Sequence, residues 1–282
     1  VLTTPQPQGG AVWLLDAHNL LHRYFHAAPV QWHAGRQVHA VRGLRGLLVR
    51  IREQHGPKAV GIVYDAGHSG RGDLLPTYKM GRTPTPPELE LQIDLARTYL
   101  PTYGCETIQV EGYEADDVIA SLALSARAGG DRVYLVTSDK DLMCMVSDSE
   151  PEVAVFNRAT GKRAEGWRLY QEADVLARLG VRPNRVLDLL ALVGDDADNI
   201  PGVPGVGPVI AAELLRIYGD LPTLLAAIGS VKRPAIKLAL REHADQIRLA
   251  RKVLEPVILT PAQIMESFRA QSSQPPPPSP RP

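Results

Sequence analysis

The chain has 282 residues, 44% of them hydrophobic, with 31 Lys or Arg balanced by 31 Asp or Glu. That length can bury a sizeable core in one large domain or two small ones. No apolar run approaches the roughly 18 residues of a membrane-spanning helix, and the first ten residues lack the basic and apolar regions of a signal peptide. A cytoplasmic protein without a membrane partner is therefore expected, with residues 1–10 as a disordered leader. Cys105 and Cys144 show no CxxC spacing and read as buried, reduced thiols. The even charge total hides polarity: seven Lys or Arg lie between 232 and 252 against Glu242 and Asp245, while acids gather at 114–117 and 195–198.

Residues 12–15 form a short apolar run ending in Asp16, the pattern of a buried strand with a carboxylate at its carboxyl end. On the helix that follows, His18 and His22 stand four apart, a zinc-compatible spacing. Without the HExxH pattern or a third ligand they read as ordinary helix-face histidines. Residues 40–54 are amphipathic, with Val41, Leu44, Leu48 and Ile51 on one side and Arg42, Arg45, Arg50 and Arg52 on the rest. A second strand, 59–64, also ends in an acid, Asp65. A Gly-rich loop, Arg71, Tyr78, Lys79 and Arg82 follow, and the prolines at 84–87 start a fresh helix from about 88 to 100.

A short strand at 108–110 leads into residues 112–123, where Glu114, Asp116 and Asp117 crowd the first turn of a helix. Acids suit that end of the macrodipole, and one or two would need no further explanation. Three within a turn repel one another unless a cation sits among them. The strand at 133–137 is followed by Asp139 and Asp141. Strands alternating with helices of about a dozen residues indicate a mainly parallel sheet, whose ligands bind beyond the strand carboxyl ends. Asp16, Asp65, Asp139 and Asp141 all fall there.

Beyond residue 160 the pattern turns helical, at 172–179, 185–193, 208–218, 223–228 and 234–254, with no strand expected. Between two of these helices lies a second acidic stretch, Asp195, Asp196 and Asp198, and a hairpin containing Gly202, Gly205 and Gly207. Glycines there let backbone amides and a helix N-terminus approach a phosphate, although a plain tight turn has the same composition. Residues 271–282 are Pro/Ser-rich and read as a disordered tail.

Oxygen-only ligands from six segments suit Mg²⁺ or Mn²⁺, and so many acids exceed what one ion needs. Two ions about 4 Å apart would hold the attacking and leaving oxygens of a phosphodiester. For any single acid, loop capping remains a fair explanation.

Six motifs, at 15–20, 63–66, 78–82, 112–117, 137–142 and 194–202, resemble those of the bacterial 5′-nuclease family. This is the family of the 5′→3′ exonuclease domain of DNA polymerase I and its stand-alone flap-endonuclease relatives. The similarity runs from about residue 11 to 255. It implies a three-layer α/β nuclease core (11–160) with a helical arch near 66–104. A helical helix–hairpin–helix region (161–260) would follow, supplying Asp195 and Asp198. It further implies that Asp16, Asp65, Glu114 and Asp116 hold a first metal, and that Asp117, Asp139, Asp141, Asp195 and Asp198 lie nearer a second. Lys79 and Arg82 match basic arch residues that face the scissile phosphate. Arg23, Arg71 and Tyr78, with Gly202, Gly205 and Gly207, match DNA-contacting positions, and the hairpin could hold K⁺.

Three positions depart from the family pattern: Val209 and Ile210 stand where a Lys and a small hydroxyl residue are common, and Gly70 replaces an aromatic. The implied activity is hydrolysis of DNA with 5′ flaps, nicks or single-strand/double-strand junctions, in replication and repair, by a nucleoid-associated monomer. The alternative is a non-catalytic junction-binding relative of the same fold. An aspartate-based phosphatase would need an acid where His18 stands.

Overall fold

Period-two alternation explains the core directly. The computed structural model describes residues 7, 9–158 and 166–272. In chain order its strands and helices begin β1 (Val12–Asp16), α1 (Ala17–Ala27), the hairpin strands β2 (Trp32–His33) and β3 (Arg36–Gln37), and α2 (His39–His55). Next come β4 (Ala59–Tyr64), α3 (Arg71–Leu74), α4 (Pro87–Tyr99), β5 (Glu106–Gln109), α5 (Ala115–Ala128), β6 (Val133–Val136), β7 (Val153–Arg158) and β8 (Trp167–Tyr170). The remainder is helical: α6 (Glu172–Leu179), α7 (Val186–Val193), α8 (Pro208–Tyr218), α9 (Leu221–Ala226), α10 (Pro234–Glu242), α11 (Ala244–Leu254) and α12 (Pro261–Ser272).

The six-stranded sheet has the order β5-β4-β1-β6-β7-β8, parallel except for the antiparallel β7–β8 pair. Trp13, Leu15, Ile62, Tyr64, Tyr134, Val136 and Phe156 point to one face and pack against α1, α2 and α4. Their neighbours Leu14, Val63, Val133, Leu135, Val153 and Val155 point to the other, against α5 and the C-terminal helices. The result is the expected three layers. Because both faces are covered, the strands are apolar on both sides, as parallel sheets require.

Helix ends follow local chemistry. Asp16 caps α1 by accepting from the Asn19 amide at 3.1 Å, and Asp220 caps α9 from Thr223 at 2.8 Å. Pro87, Pro208 and Pro234 open α4, α8 and α10, where a missing N–H costs nothing.

Several boundaries differ from the sequence expectation. β8 is a strand beyond residue 160, so the sheet extends into the stretch expected to be wholly helical. Its pairing with β7 is a tertiary bond that a four-residue segment does not announce. The third strand lies at Glu106–Gln109 rather than 108–110. The long helix at 234–254 is two, separated at His243. The expected arch divides: a single turn, Arg71–Leu74, and the turns following it carry the basic residues, whereas α4 packs Leu89, Ile93 and Ala96 into the core. Residues 1–6, 8 and 273–282, most of the expected leader and tail, lie outside the described residues; Gln271 and Ser272 end α12.

One backbone crossing holds the second acidic loop. A Cβ on Gly202 would sit 2.0 Å from the Val193 carbonyl oxygen, and one on Gly194 (φ +82°) 2.4 Å from the Gly202 nitrogen. Asp195 and Ile200 close the loop between them by exchanging backbone hydrogen bonds at 2.8 Å. Gly202→Ala should therefore cost about 3 kcal/mol, since the obstacle is backbone. Gly46→Ala, on the exposed face of α2 with open space around it, should gain about 0.5–1 kcal/mol. Chemical denaturation of both variants checks the contrast; equal changes would refute the close-approach account.

Candidate metal centre

Parallel pairing brings the carboxyl ends of β1, β4, β5 and β6 to one edge, and the strand order reverses between β1 and β6. Such a reversal opens a crevice. Asp16 ends β1, Asp65 follows β4, Glu114 precedes α5 and Asp139 follows β6.

A short polar relay spaces the first and last of these. Thr137, fully buried, donates to Asp16 Oδ2 at 3.0 Å and accepts the Asp139 amide at 3.0 Å. Asn19 Oδ1 accepts from both the amide (3.0 Å) and hydroxyl (2.6 Å) of Ser138. Asp65 Oδ1 accepts from the Ala115 amide at 2.7 Å, and its Oδ2 lies 3.0 Å from His18 Nδ1. His18 is thus more than a helix-face histidine. Thr137 and Asn19 had no sequence signal beyond lying inside acidic motifs, and the one His18 had, its spacing from His22, pointed to zinc rather than to Asp65.

The acids divide into two electrostatic groups. Glu114, only 3% exposed, accepts from Lys79 (2.8 Å), Tyr78 (3.0 Å) and Arg71 (3.2 Å). Asp195 pairs with Lys140 at 3.0 Å, and Asp198 pairs with Arg82 and accepts from Tyr78 at 3.2 Å. Built-in cations neutralise this group. Asp16, Asp116, Asp139 and Asp141 face mainly one another. Burial first, and then Asp65 and Asp139, raise the Asp16 carboxyl to about 7. Asp116 is raised well above the ordinary range by burial, then by Asp139, Asp16, Asp65 and Asp141. Burial is also the first cause at Asp139 and Asp141. Asp141 Oδ1 is buried without a hydrogen-bond partner.

Two expected assignments change. Asp117, expected among the ligands of a second ion, is fully buried and saturated. Its Oδ1 accepts from Arg71 (2.7 Å) and the Val257 amide (2.7 Å), its Oδ2 from Arg71 (2.9 Å) and the Ser69 hydroxyl. Arg71, expected at DNA, is 5% exposed and also donates to the Val253 carbonyl at 2.8 Å. The pair staples α3, α5, the end of α11 and the residues after it together. Losing one partner of such a pair typically costs about 3–5 kcal/mol.

Lys79 and Arg82 do reach the acids, and the Asp198 backbone carbonyl accepts from the Lys79 amide at 2.9 Å. Arg23 is half-buried, bonded to Asn157 Oδ1 at 2.8 Å and lying over the Trp167 ring. Gly202, Gly205 and Gly207 lie between α7 and α8, the expected helix–hairpin–helix, braced by Gln246 on the Pro201 (3.2 Å) and Gly202 (3.1 Å) carbonyls. Among the described residues, no three His, Cys, Asp or Glu side chains are closed into a ready-made ion cage.

Known proteins share this architecture. The model of the 5′-3′ exonuclease N-terminal resolvase-like domain matches residues 11–180, and that of the C-terminal SAM fold matches 181–274. The chain belongs to the 5′-3′ exonuclease family. It is 37% identical over 243 residues to the thermostable DNA polymerase I of Thermus thermophilus, covering 86% of this chain and 28% of the relative. To DNA polymerase I of Bacillus subtilis it is 34% identical over 253 residues, covering 89% and 28%. The chain thus spans little more than a quarter of these polymerases. The T5 5′-exonuclease with bound zinc ions superposes with a TM-score of 0.72 at 20% identity, covering 87% of this chain and 89% of that one. The catalytic core of Rad2 in complex with DNA substrate gives 0.56 at 15%, covering 89% and 79%.

Without metal, the crowded group should weaken the fold. Asp116→Asn keeps the shape and removes one charge, so in chelator at neutral pH it should stabilise by about 1 kcal/mol or more, some 2–4 °C in melting temperature. Calorimetry in chelator checks this; a lower melting temperature would show that Asp116 is not crowded.

Proposed function

We propose that the chain is a metal-dependent, structure-specific 5′ nuclease that hydrolyses DNA phosphodiesters at flaps, nicks or single-strand/double-strand junctions. The observation that carries this reading is the uncompensated acid group, with its partnerless buried Asp141 oxygen, beside a second group already furnished with cations. A donor set made wholly of carboxylate oxygens fits hard divalent ions such as Mg²⁺ or Mn²⁺. Asp16, Asp65, Asp116, Asp139 and Asp141 would hold them, with Glu114, Asp195 and Asp198 at the margins; Asp117 is removed from the set. When bound, two such ions would neutralise the phosphate and supply a deprotonated water as nucleophile.

The chain's own groups then do the rest. Lys79 and Arg82 stand on the segment that crosses the acids, so a phosphate drawn into the centre would meet cations from the opposite side. They would stabilise charge building on its non-bridging oxygens. Thr137 and Asn19 fix the spacing between the β1 and β6 acids. The hairpin containing Gly202, Gly205 and Gly207 would seat a duplex arm through its backbone and the α8 N-terminus, with K⁺ as a fitting companion ion. The division into a nuclease core and a helical DNA-holding region is part of the same proposal, as are a monomeric state and a cytoplasmic, nucleoid-associated location.

A 5′-labelled flap substrate with Mg²⁺ tests the activity. Lys79→Ala should lower the single-turnover rate about 10²-fold while DNA affinity measured in Ca²⁺ changes much less. Equal losses in rate and affinity would make Lys79 a general phosphate contact, and metal-independent cleavage would refute the proposal itself.

Val209 stands 82% exposed on the first turn of α8. If the hairpin faces DNA, Val209→Lys should add roughly one unit to the slope of log affinity against log salt. An unchanged slope in a folded variant would assign duplex binding elsewhere.

A further inference from the structure

Two short turns, far apart in sequence, each hold a residue in the left-handed backbone region, and the turns are bonded to one another. In the first, the Met80 amide donates to the Thr77 carbonyl at 3.0 Å and Lys79 has φ +56°. In the second, the Asn199 amide donates to the Asp196 carbonyl at 3.3 Å and Asn199 has φ +55°. Asn takes that region readily, and turns that need it usually carry Gly or Asn. A Lys there is uncommon and persists only where its surroundings over-determine it.

The surroundings that hold Lys79 are residues 198 and 199. The Lys79 amide donates to the Asp198 carbonyl at 2.9 Å, and Asn199 Nδ2 donates to the Thr77 carbonyl at 2.7 Å. The peptide group before Lys79 is thus anchored on Asp198 directly. The one after it is anchored through Thr77 on Asn199. With its backbone set in this way, Lys79 places its Nζ 2.8 Å from Glu114 Oε1.

The anchor is itself firm. The loop carrying Asn199 is closed by the reciprocal Asp195 and Ile200 bonds and seated on the Gly194–Gly202 crossing. Arg82 also ties the basic segment to this loop, through the Ala197 carbonyl at 3.2 Å and the Asp198 carboxylate. Those contacts occupy the guanidinium that would turn to a phosphate. The Asn199 bond uses no charged group, so it can persist when DNA arrives.

We propose that Asn199 is a positioning residue for hydrolysis: its side-chain amide fixes the Thr77–Met80 turn and so keeps the Lys79 ammonium directed into the acid centre. It touches neither DNA nor metal and acts through Lys79. This rests on the 5′-nuclease reading above and deepens it, since the loop that supplies Asp195 and Asp198 then also aims the cation opposite them.

Asn199→Gly keeps the positive φ and removes the amide. On a 5′-labelled flap with Mg²⁺ its single-turnover rate should fall about five- to tenfold, the scale of one hydrogen bond, while DNA affinity in Ca²⁺ stays within about twofold. In a Lys79→Ala background the same substitution should cost less than about twofold, because residues that act as a unit are not additive. The full loss in that background, an affinity loss equal to the rate loss, or an unchanged rate would overturn the proposal. Amide exchange followed by NMR, without metal or DNA, reads the joint independently of cleavage. Asn199→Gly should speed exchange at Lys79 and Met80 about tenfold and leave Asp195 and Ile200 as in the wild type. Unchanged exchange at Lys79 and Met80 in a chain that cleaves would overturn the joint alone. A wild-type chain that leaves the flap uncut would overturn the nuclease reading, and the catalytic role of Asn199 with it.

Discussion

Four carboxylates held within one another's field, Asp16 buried and the other three partly withdrawn from water, are the constraint to which the rest of the structure responds. The parallel sheet creates the problem by delivering strand carboxyl ends to a single edge. Desolvation and mutual repulsion then push Asp16, Asp116, Asp139 and Asp141 toward their neutral forms. Around them the chain spends its own cations on the flanking acids, through Lys79, Arg82 and Lys140. Among the described residues the central group makes no ion pair, Lys140 reaching Asp139 and Asp141 only through its field, and that asymmetry is what an external cation would relieve.

Holding the crowd in place takes backbone as much as charge. The Arg71–Asp117 pair ties the turn after β4, the acid helix α5 and the segment after α11 into one joint. The Gly194–Gly202 crossing fixes the loop carrying Asp195 and Asp198, and Asn199 Nδ2 on the Thr77 carbonyl at 2.7 Å links that loop to the segment bearing Tyr78, Lys79 and Arg82. Metal centre, basic segment and hairpin are therefore mechanically continuous. A phosphate engaged by Lys79 and a duplex seated on the α7–α8 hairpin would act on the same loop from its two ends.

Much of this was legible in the sequence because it depends on local signals. Apolar runs ending in an acid located β1 and β4, and the acid-rich turn located the start of α5. Glycines between two apolar stretches located the α7–α8 hairpin. What escaped depends on tertiary partners. β8 exists because β7 offers it a bonded edge. Asp117 and Arg71 look in sequence like a ligand and a DNA contact. Only the fold shows that each consumes the other, since a carboxylate with four donors on it is indistinguishable in sequence from one awaiting a metal. Asn199 carried no sign of its role because its partner, the Thr77 carbonyl, lies 122 residues away.

The whole account turns on the centre being made to take divalent ions. Titrating the metal-free chain with Mn²⁺ in a calorimeter, with DNA absent, asks this without reference to cleavage. The account predicts saturable binding of about two ions per chain, accompanied by a rise in melting temperature as the crowded carboxylates gain a counter-charge. No saturable binding, or binding that leaves the melting temperature unchanged, would contradict it.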